Sequence, residues 1–246
     1  MHFTSEHPLE DDVLERDFLL GDIPGILWTP PVASADEPVP LILLGHPGGI
    51  TRMRARLRGR AQASAGQGFA SATIELPGTG ERPGIPTVDQ ARTDLRQALA
   101  AGQTITDDIV DRLILPLVDQ GVPELQALLD ALLAEPELRE PAAYSGGVIS
   151  IGVRLAVVEP RIVAAGLFAG SYVPRSIMSE ARGVTIPLHV LLQWDDEGND
   201  RQMALDLFDA FGSEEKALLA NTGGHTGVPA SAGPHAAAFY ARHLLG

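Results

Sequence analysis

Three residue types that together can attack an acyl carbon follow one another along this chain. Ser145 lies between an apolar stretch and two glycines, and two aspartates, Asp195 and Asp196, follow a later apolar run. His225 lies in a glycine-rich segment near the C-terminus. A serine hydroxyl attacks well only when a neutral imidazole takes its proton and a carboxylate orients that imidazole. The order serine, acid, histidine therefore predicts nucleophilic chemistry.

The segment from 141 to 152 decides which serine could attack. A nucleophile elbow is a sharp turn from a strand into a helix, with glycines on either side of the nucleophile. Ser145 fits this pattern with Ala143 in the place of the first glycine, whereas Ser150 has Val148 where the tight turn needs a small residue. Ser145 is therefore the predicted nucleophile, and Ser150 is the alternative.

The glycine-rich loop Gly45–Gly49 is predicted to hold the oxygen on which negative charge develops. Backbone N–H groups aimed at such an oxygen stabilise the transition state. Pro47 has no N–H, so we expect donors among the other loop residues, with His46 and Gly48 foremost, together with Gly146 next to the serine. The His46 ring is expected to shape the loop rather than to take protons.

Five arginines occupy alternate positions just after this loop: Arg52, Arg54, Arg56, Arg58 and Arg60. On a helix, residues two apart do not face each other, so the five spread around much of the circumference. One interpretation is that they are solvated side chains that pair with nearby acids. The other is that they form a site for an anionic substrate or a carrier phosphate.

The composition limits the other kinds of site. The chain has 246 residues, a formal net charge of −14 and no cysteine. An acidic chain lacks the basic surface that nucleic acids and anionic membranes require, and without cysteine it has neither disulfides nor thiolate catalysis. No cluster of histidines and carboxylates has the spacing of metal ligands, so we expect no metal and no other cofactor.

The expected partner is a small-molecule substrate, and a homodimer is left open. The first residues lack the apolar core of a signal peptide. No apolar run approaches the roughly 20 residues of a membrane span. A cytoplasmic protein is the resulting expectation.

Apolar runs of strand length alternate with stretches of helix length along the whole chain. Val39–Leu44 and Ile162–Phe168 are continuous apolar runs, typical of strands buried on both faces of a parallel sheet. The alternation predicts an α/β fold in which residues 1–246 form one domain around a doubly wound, mostly parallel sheet. The carboxyl ends of such strands share one edge, where the candidate residues would meet.

Residues 83–121 interrupt this alternation. Short helices are predicted over 88–101 and 106–118, the second interrupted by Pro116, and a further helix over 123–134. A connection of this length is typical of a helical cap over the strand ends. Its apolar residues indicate a pocket wall: Ile85, Leu113, Ile114 and Leu117.

Five segments carry a resemblance to a known family: Leu43–Gly49, Glu75–Arg82, Glu159–Ile162, Gln193–Glu197 and Gly223–Pro229. Together they resemble the α/β-hydrolase superfamily, in particular its dienelactone-hydrolase-like branch, over almost the whole chain. The resemblance implies a sheet of about eight strands and a serine-hydrolase mechanism without a cofactor. It also implies that Asp196 is the catalytic acid and His225 the catalytic histidine.

The nucleophile segment matches this family in more than one register. Anchored on Tyr144, the family serine falls on Val148; anchored on Gly152, it falls on Gly146. A local shift restores the Ser-x-Gly pattern at Ser145 and leaves a full-length helix after it. Ser145 is retained as the predicted nucleophile on that ground.

Two functions are carried forward from these patterns. The first is a serine hydrolase that cleaves an ester, thioester or lactone of a small apolar substrate through Ser145, His225 and Asp196. The second is a protein of the same fold without a working serine. It would use His225 and Asp196 as an acid–base pair of a lyase or cyclase, or would only bind a ligand.

Overall fold

The computed structural model describes residues 1–170 and 172–246. Within these residues nine strands form one sheet, with seven α-helices around it. The strands are β1 (His2–Pro8), β2 (Leu14–Leu20), β3 (Ile23–Thr29), β4 (Val39–Gly45), β5 (Ala70–Ile74), β6 (Leu138–Gly146), β7 (Ile162–Phe168), β8 (Leu188–Gln193) and β9 (Lys216–Asn221). The helices are α1 (Ile50–Ala65), α2 (Pro86–Ala100), α3 (Asp107–Leu132), α4 (Ile149–Val158), α5 (Arg175–Glu180), α6 (Arg201–Ala210) and α7 (Ala232–Leu244). Two short 3₁₀ turns complete the structure, at Glu10–Asp12 and Ala181–Gly183.

The order of the strands in the sheet is β1-β2-β3-β5-β4-β6-β7-β8-β9. The pairs from β1 to β5 are antiparallel, and all pairs from β5 to β9 are parallel. The predicted α/β class with a mostly parallel sheet is confirmed, with nine strands instead of about eight. The carboxyl ends of β4, β6, β8 and β9 meet at one edge, and each of these ends leads into one of the candidate loops.

The additional strand, β1, lies at the antiparallel edge of the sheet, where it pairs with β2. Its side chains are exposed except for the half-buried Phe3 and Ser5. A strand recognised from sequence needs a buried face with regular apolar alternation, and β1 has only one apolar side chain on that face. The sequence therefore did not predict it.

Helices cover both faces of the sheet. On one face α3 and α4 pack through the central core, which includes Leu128, Leu129 and Val153. On the other face α1 and α7 pack through a smaller cluster, which includes Leu57 and Phe239. The loops after β4 and β9 lie at the N-terminal ends of α1 and α7, because each loop leads into one of these helices.

Helix α3 runs without a break through both Pro116 and Pro123. Two separate helices over 106–118 and 123–134 were predicted, and that prediction is wrong. A proline inside a helix removes one hydrogen bond and disfavours the preceding turn. Here the buried stripe of the helix, from Val118 to Leu132, packs on the central core, and this burial holds the helix together across both prolines.

None of the helices described is long and apolar enough to cross a membrane.

Candidate active site

His225 and Asp196 lie together after the adjacent strands β9 and β8. His225 Nδ1 is 2.7 Å from Asp196 Oδ2. The Asp196 side chain is 3% exposed, whereas that of His225 is 63% exposed. With the Nδ1–H donated to the carboxylate, Nε2 is the nitrogen left to accept a proton. Asp195, the alternative acid, is exposed and makes no hydrogen bond to His225 among the described residues.

Hydrogen bonds to the Asp196 carboxylate keep it charged. Its Oδ1 accepts the Gly198 N–H at 2.9 Å, and its Oδ2 accepts from Asn199 Nδ2 at 2.6 Å. Burial by itself raises the pKa of Asp196, but the hydrogen bonds from His225, Asn199 and Gly198 outweigh it and lower that pKa below its ordinary value. A negative charge therefore holds the imidazole in one orientation.

A cavity of about 730 Å³ opens at this edge of the sheet, between α1 and α7. Several polar side chains line it: Arg56, Arg60, Ser145, His189, His225 and Tyr240. The imidazole of His225 also packs against Phe168 at the end of β7, with 5.3 Å between the ring centroids. The cavity thus brings the predicted base and the predicted serine to one space.

The turn between β6 and α4 consists of glycine. Gly146 has a φ of 78° and Gly147 a φ of 77°, values that residues with a Cβ rarely adopt. Ser145 is the residue before this turn and is still paired in the sheet, with Leu44 and Gly166. Ser145 was predicted at the apex; that placement is wrong, and the register anchored on Gly152, which puts Gly146 there, agrees with the turn.

Ser150, the alternative nucleophile, lies inside α4. Its side chain is fully buried, and its Oγ has no hydrogen-bond partner among the described residues. It does not line the cavity. A substrate in the cavity does not reach it.

Arg60 of α1 fills the space in front of the glycine turn. Its Nη1 donates to Gly45 O at 2.9 Å, and its Nη2 donates to Ser145 O at 2.6 Å and to Ser145 Oγ at 3.0 Å. A Cβ built on Gly146 would be 3.0 Å from Arg60 Nη2. The guanidinium therefore stands where an apical side chain would project. No hydrogen bond joins Ser145 to His225 within the residues that the structure describes.

The loop after β4 uses its own N–H groups. His46 is buried; its Nδ1 accepts the Gly48 N–H at 3.0 Å, and its Nε2–H donates to Ile74 O at 2.9 Å. Burial lowers the pKa of His46, so the ring stays neutral and shapes the loop, as expected. Because the Gly48 N–H is already bonded, the main-chain N–H groups of His46 and Gly146 are the expected oxyanion donors that this geometry leaves.

Glu75 is the residue that fixes this loop. Its carboxylate accepts the N–H of Gly49 at 2.9 Å, the N–H of Ile50 at 2.8 Å and the hydroxyl of Thr79. Burial opposes the charge, but these hydrogen bonds lower the pKa of Glu75 below its ordinary value. An anion at the first N–H groups of α1 also complements the helix dipole. From sequence, Glu75 was marked by its position at a strand end and by the segment Glu75–Arg82 that carries the family resemblance, neither of which indicated that it binds this loop.

No protein-family model matches this chain, and no curated protein matches it. Several solved structures match this chain. A cold-adapted esterase from an Arctic intertidal metagenomic library, in a complex with polyethylene glycol, is 26% identical, with a TM-score of 0.77 over 99% of this chain and 100% of that one. The dienelactone hydrolase of Anabaena variabilis is 17% identical, with a TM-score of 0.62 over 98% of each chain. An esterase of Pyrococcus furiosus is 11% identical, with a TM-score of 0.64 over 99% of this chain and 93% of that one.

The chain has the α/β-hydrolase fold. The similarities confirm the resemblance to α/β hydrolases at the level of the fold, and a dienelactone hydrolase is among the structures that share it. The serine, acid and histidine loops follow β6, β8 and β9, which lie in that order across the sheet.

The five arginines divide between two sides of α1. Arg58 binds Glu15 through Nε at 2.9 Å and Nη2 at 2.8 Å, and Arg54 pairs with Asp17. Glu15 is buried and also accepts from Trp28 Nε1 at 2.6 Å. Pairing with nearby acids thus accounts for Arg54 and Arg58, but not for the arginines that line the cavity.

Residues 83–121 do not cover the cavity. No residue of this segment lines it; α2 packs on α3, Ile114 packs against the central core, and Leu117 is buried. The expected pocket wall from this segment is therefore wrong. The cause is the continuity of α3, which takes the second half of the segment into the helical layer on the far face.

Across residues 1–170 and 172–246, no three His, Asp or Glu side chains are placed to hold a metal ion.

Proposed function

We propose that this α/β hydrolase cleaves carboxylic esters, thioesters or lactones, with His225 as the general base and Asp196 as the residue that orients it. The observation that carries the proposal is the 2.7 Å hydrogen bond between His225 Nδ1 and Asp196 Oδ2 at the wall of the cavity. The similarity to a cold-adapted esterase supports the same class of reaction.

The proposed attacking group is the Ser145 hydroxyl. Ser145 lines the cavity together with His225, and its Oγ accepts a hydrogen bond from Arg60 at 3.0 Å. A guanidinium stabilises an alkoxide, so this contact favours loss of the hydroxyl proton to His225 Nε2. The serine would form an acyl-enzyme as the C–O or C–S bond of the substrate breaks and protonated His225 returns its proton to the departing alcohol or thiol. Water, deprotonated by the same base, would then hydrolyse the acyl-enzyme and release Ser145. The N–H groups of His46 and Gly146 are the proposed oxyanion donors.

A second candidate is direct attack by water that His225 deprotonates. Two observations favour it: glycines form the turn, so no side chain projects from its apex, and Ser145 Oγ is bonded to Arg60 instead of His225. The two carboxylic-ester mechanisms share His225 and Asp196. They differ in whether an acyl group is attached to the protein during turnover.

Hydrolysis of p-nitrophenyl butyrate by four variants tests the function. We expect His225→Ala to lower kcat/KM by about 100- to 10,000-fold, because the base is lost, and Asp196→Asn to lower it substantially as well. The controls are Asp195→Asn, next to the site but exposed, and Ser150→Ala, inside α4; both should retain wild-type activity. Hydrolysis that survives His225→Ala would contradict the proposal.

Fluorophosphonate labelling followed by mass spectrometry separates the two attacking groups. An adduct on Ser145 that is absent in His225→Ala, with loss of activity in Ser145→Ala, supports the serine mechanism. Turnover without an adduct, and with little change in Ser145→Ala, supports attack by water. A wild-type protein that hydrolyses no ester, thioester or lactone would overturn both and return His225 and Asp196 to the acid–base pair of a lyase or cyclase.

A further inference from the structure

Three of the arginines on α1 form a stripe that faces the site. Arg52, Arg56 and Arg60 are four residues apart, and such residues lie on the same side of a helix. Arg52 Nη2 donates to Gly48 O at 3.2 Å, and both Arg56 and Arg60 line the 730 Å³ cavity. We call these three residues the arginine stripe. Arg54 and Arg58, on the other side of α1, are the ones that pair with acids.

The arginine stripe has no counter-ion. Within residues 1–170 and 172–246, none of its three members forms an ion pair with a carboxylate, although the chain carries 32 acidic residues against 18 basic ones. Most of the other arginines, such as Arg58 and Arg161, are paired with acids, whereas the isolated Arg96, Arg139, Arg182 and Arg201 have no ion pair among the described residues. In a strongly acidic chain, the absence of a carboxylate beside three adjacent cations distinguishes this side of α1 from the side that carries Arg54 and Arg58.

Arg60 is the member of the stripe that most needs an anion. It is partly buried, and its contacts are the oxygens of Gly45 and Ser145, which are neutral acceptors. These contacts use one N–H of Nη1 and the two of Nη2, so the Nε–H and the second N–H of Nη1 have no acceptor among the described residues. Removing a charge from water is costly unless an opposite charge compensates it.

We propose that Arg60 and Arg56 bind an oxyanion group, a carboxylate or a phosphate, of the ligand that enters this cavity. His189 and Tyr240 line the same cavity, and the Tyr240 hydroxyl already donates to Tyr144 O at 3.1 Å. Burial of Arg60 is the main cause that lowers its pKa, and the charge of nearby Arg56, which is itself exposed, adds to this effect. That the anionic ligand is also the substrate rests on the proposed function; the anion site itself does not.

Two cavities share Arg60 in their walls, so an anion bound to Arg60 would lie between them. Arg60, Ser145 and Tyr240 line the large cavity and also a second one of about 130 Å³, whose remaining wall is largely apolar, with Leu44 and Phe69. His225 lines the large cavity and does not line this second one. A ligand held at Arg60 by its acidic group thus presents the part that extends toward the sheet edge to His225.

Calorimetric titration with inorganic phosphate and, separately, with glutarate tests the anion site without any turnover. We expect the wild-type protein to bind at least one of the two at low ionic strength, and Arg60→Met to weaken that binding by about tenfold or more, since hydrogen bonds between charged groups are lost. Arg96→Met, an exposed arginine on α2 outside the cavity, is the matched control and should bind like the wild type.

The preferred anion distinguishes its source. Binding of phosphate but not glutarate indicates a phosphorylated ligand, and the reverse indicates a carboxylic acid. Arg56→Met is the second variant and carries the test if Arg60→Met is not folded by circular dichroism. Binding of neither anion below about 10 mM, which corresponds to almost no affinity, or equal binding by the wild type and both variants, would overturn the proposal.

Paired esters connect the site to turnover. The monoester of glutaric acid with p-nitrophenol carries a free carboxylate, which p-nitrophenyl butyrate lacks. If glutarate binds, we expect kcat/KM to favour the charged ester and Arg56→Met to reduce that preference mainly through KM, because Arg56 lines the cavity without a bond to Ser145. Anion binding that depends on Arg60, without hydrolysis of either ester, would leave the anion site in place and contradict the proposed function alone.

Discussion

Gly147 is the tightest point of the turn that leads from β6 into α4. Its φ of 77° is left-handed, and a Cβ built there would be 2.7 Å from the Cα of Gly45 and 2.8 Å from the Tyr144 hydroxyl oxygen. Main-chain atoms of β4 cannot move aside as the end of a flexible side chain can. The turn and the loop after β4 are therefore fixed against each other, and this contact determines the position of Ser145 at the cavity wall.

A glycine-to-alanine pair tests this packing. We expect Gly147→Ala to lower the free energy of unfolding by about 2–4 kcal/mol, from the left-handed backbone and the clash together. The control is Gly59→Ala in the middle of α1, where a Cβ meets nothing within 4 Å; it should raise stability by about 0.5–1 kcal/mol. Urea unfolding measures both, and a Gly147→Ala protein as stable as the wild type would contradict the geometry.

Among the candidate residues, Asp196 and His225 could be placed from sequence and the apex of the turn could not. Both come directly after strands that the apolar runs make clear, so their meeting follows from the shared edge of a parallel sheet. The turn depends on which residue takes a positive φ, and Ser145-Gly146-Gly147 admits more than one register. Only the backbone shows that glycines make the turn.

At the scale of elements, α1 has two sides with different tasks. One side attaches the helix to β2 through Glu15 and Asp17, and the other carries the arginine stripe. The spacing of four was present in the sequence. Which side faces inward depends on how α1 is rotated over the sheet, and this follows from the buried Leu57 and Ala61, which a helix rich in arginine does not make obvious.

Neutralising one arginine on each side of α1 tests this division. Arg58→Met removes two hydrogen bonds from the buried Glu15, so we expect a loss of about 1–2 kcal/mol, moderated because the Arg58 side chain is 40% exposed. Arg56→Met, two residues away, breaks no ion pair and should change stability by less than about 0.5 kcal/mol. Thermal unfolding of the two variants gives the comparison; equal losses would show that the sides are not distinct.

The strands and helices themselves were predictable to different degrees. The parallel strands β4 and β7 are continuous apolar runs, and the sequence placed both of them to within one residue. Helix α3 was divided in two because local rules end a helix near proline, whereas burial of its apolar stripe is a property of the folded molecule. The short α5 lies between longer elements and has no apolar periodicity of its own.

At the scale of the whole molecule, buried carboxylates link its stability to pH. The folded-state pKa of Asp196 lies below its ordinary value, as does that of Glu75. A lowered pKa contributes stability that is fully present above the unfolded value, about 4 for a carboxyl group, and that is lost as the pH falls through the folded value. The sequence alone shows 32 acidic residues and not which of them are held in this way.

We therefore expect the free energy of unfolding to fall as the pH is lowered below about 4, with a smaller dependence in Asp196→Asn than in the wild type. Asparagine is not protonated in this pH range, so the contribution of the Asp196 carboxylate to the pH dependence disappears. Urea unfolding at a series of pH values from 6 to about 3 measures the slope. The exposed neighbour variant Asp195→Asn should keep the wild-type slope; an unchanged slope in Asp196→Asn would contradict the assignment.

The strand β1 has a consequence for how these molecules behave in a crowded solution. An open sheet invites another chain to add a strand at its edge, and short, polar edge strands discourage such addition. β1 is seven residues long, contains Glu6 and ends at Pro8, which has no N–H to offer. The segment that no apolar pattern marked thus protects the apolar strands behind it from edge-to-edge aggregation.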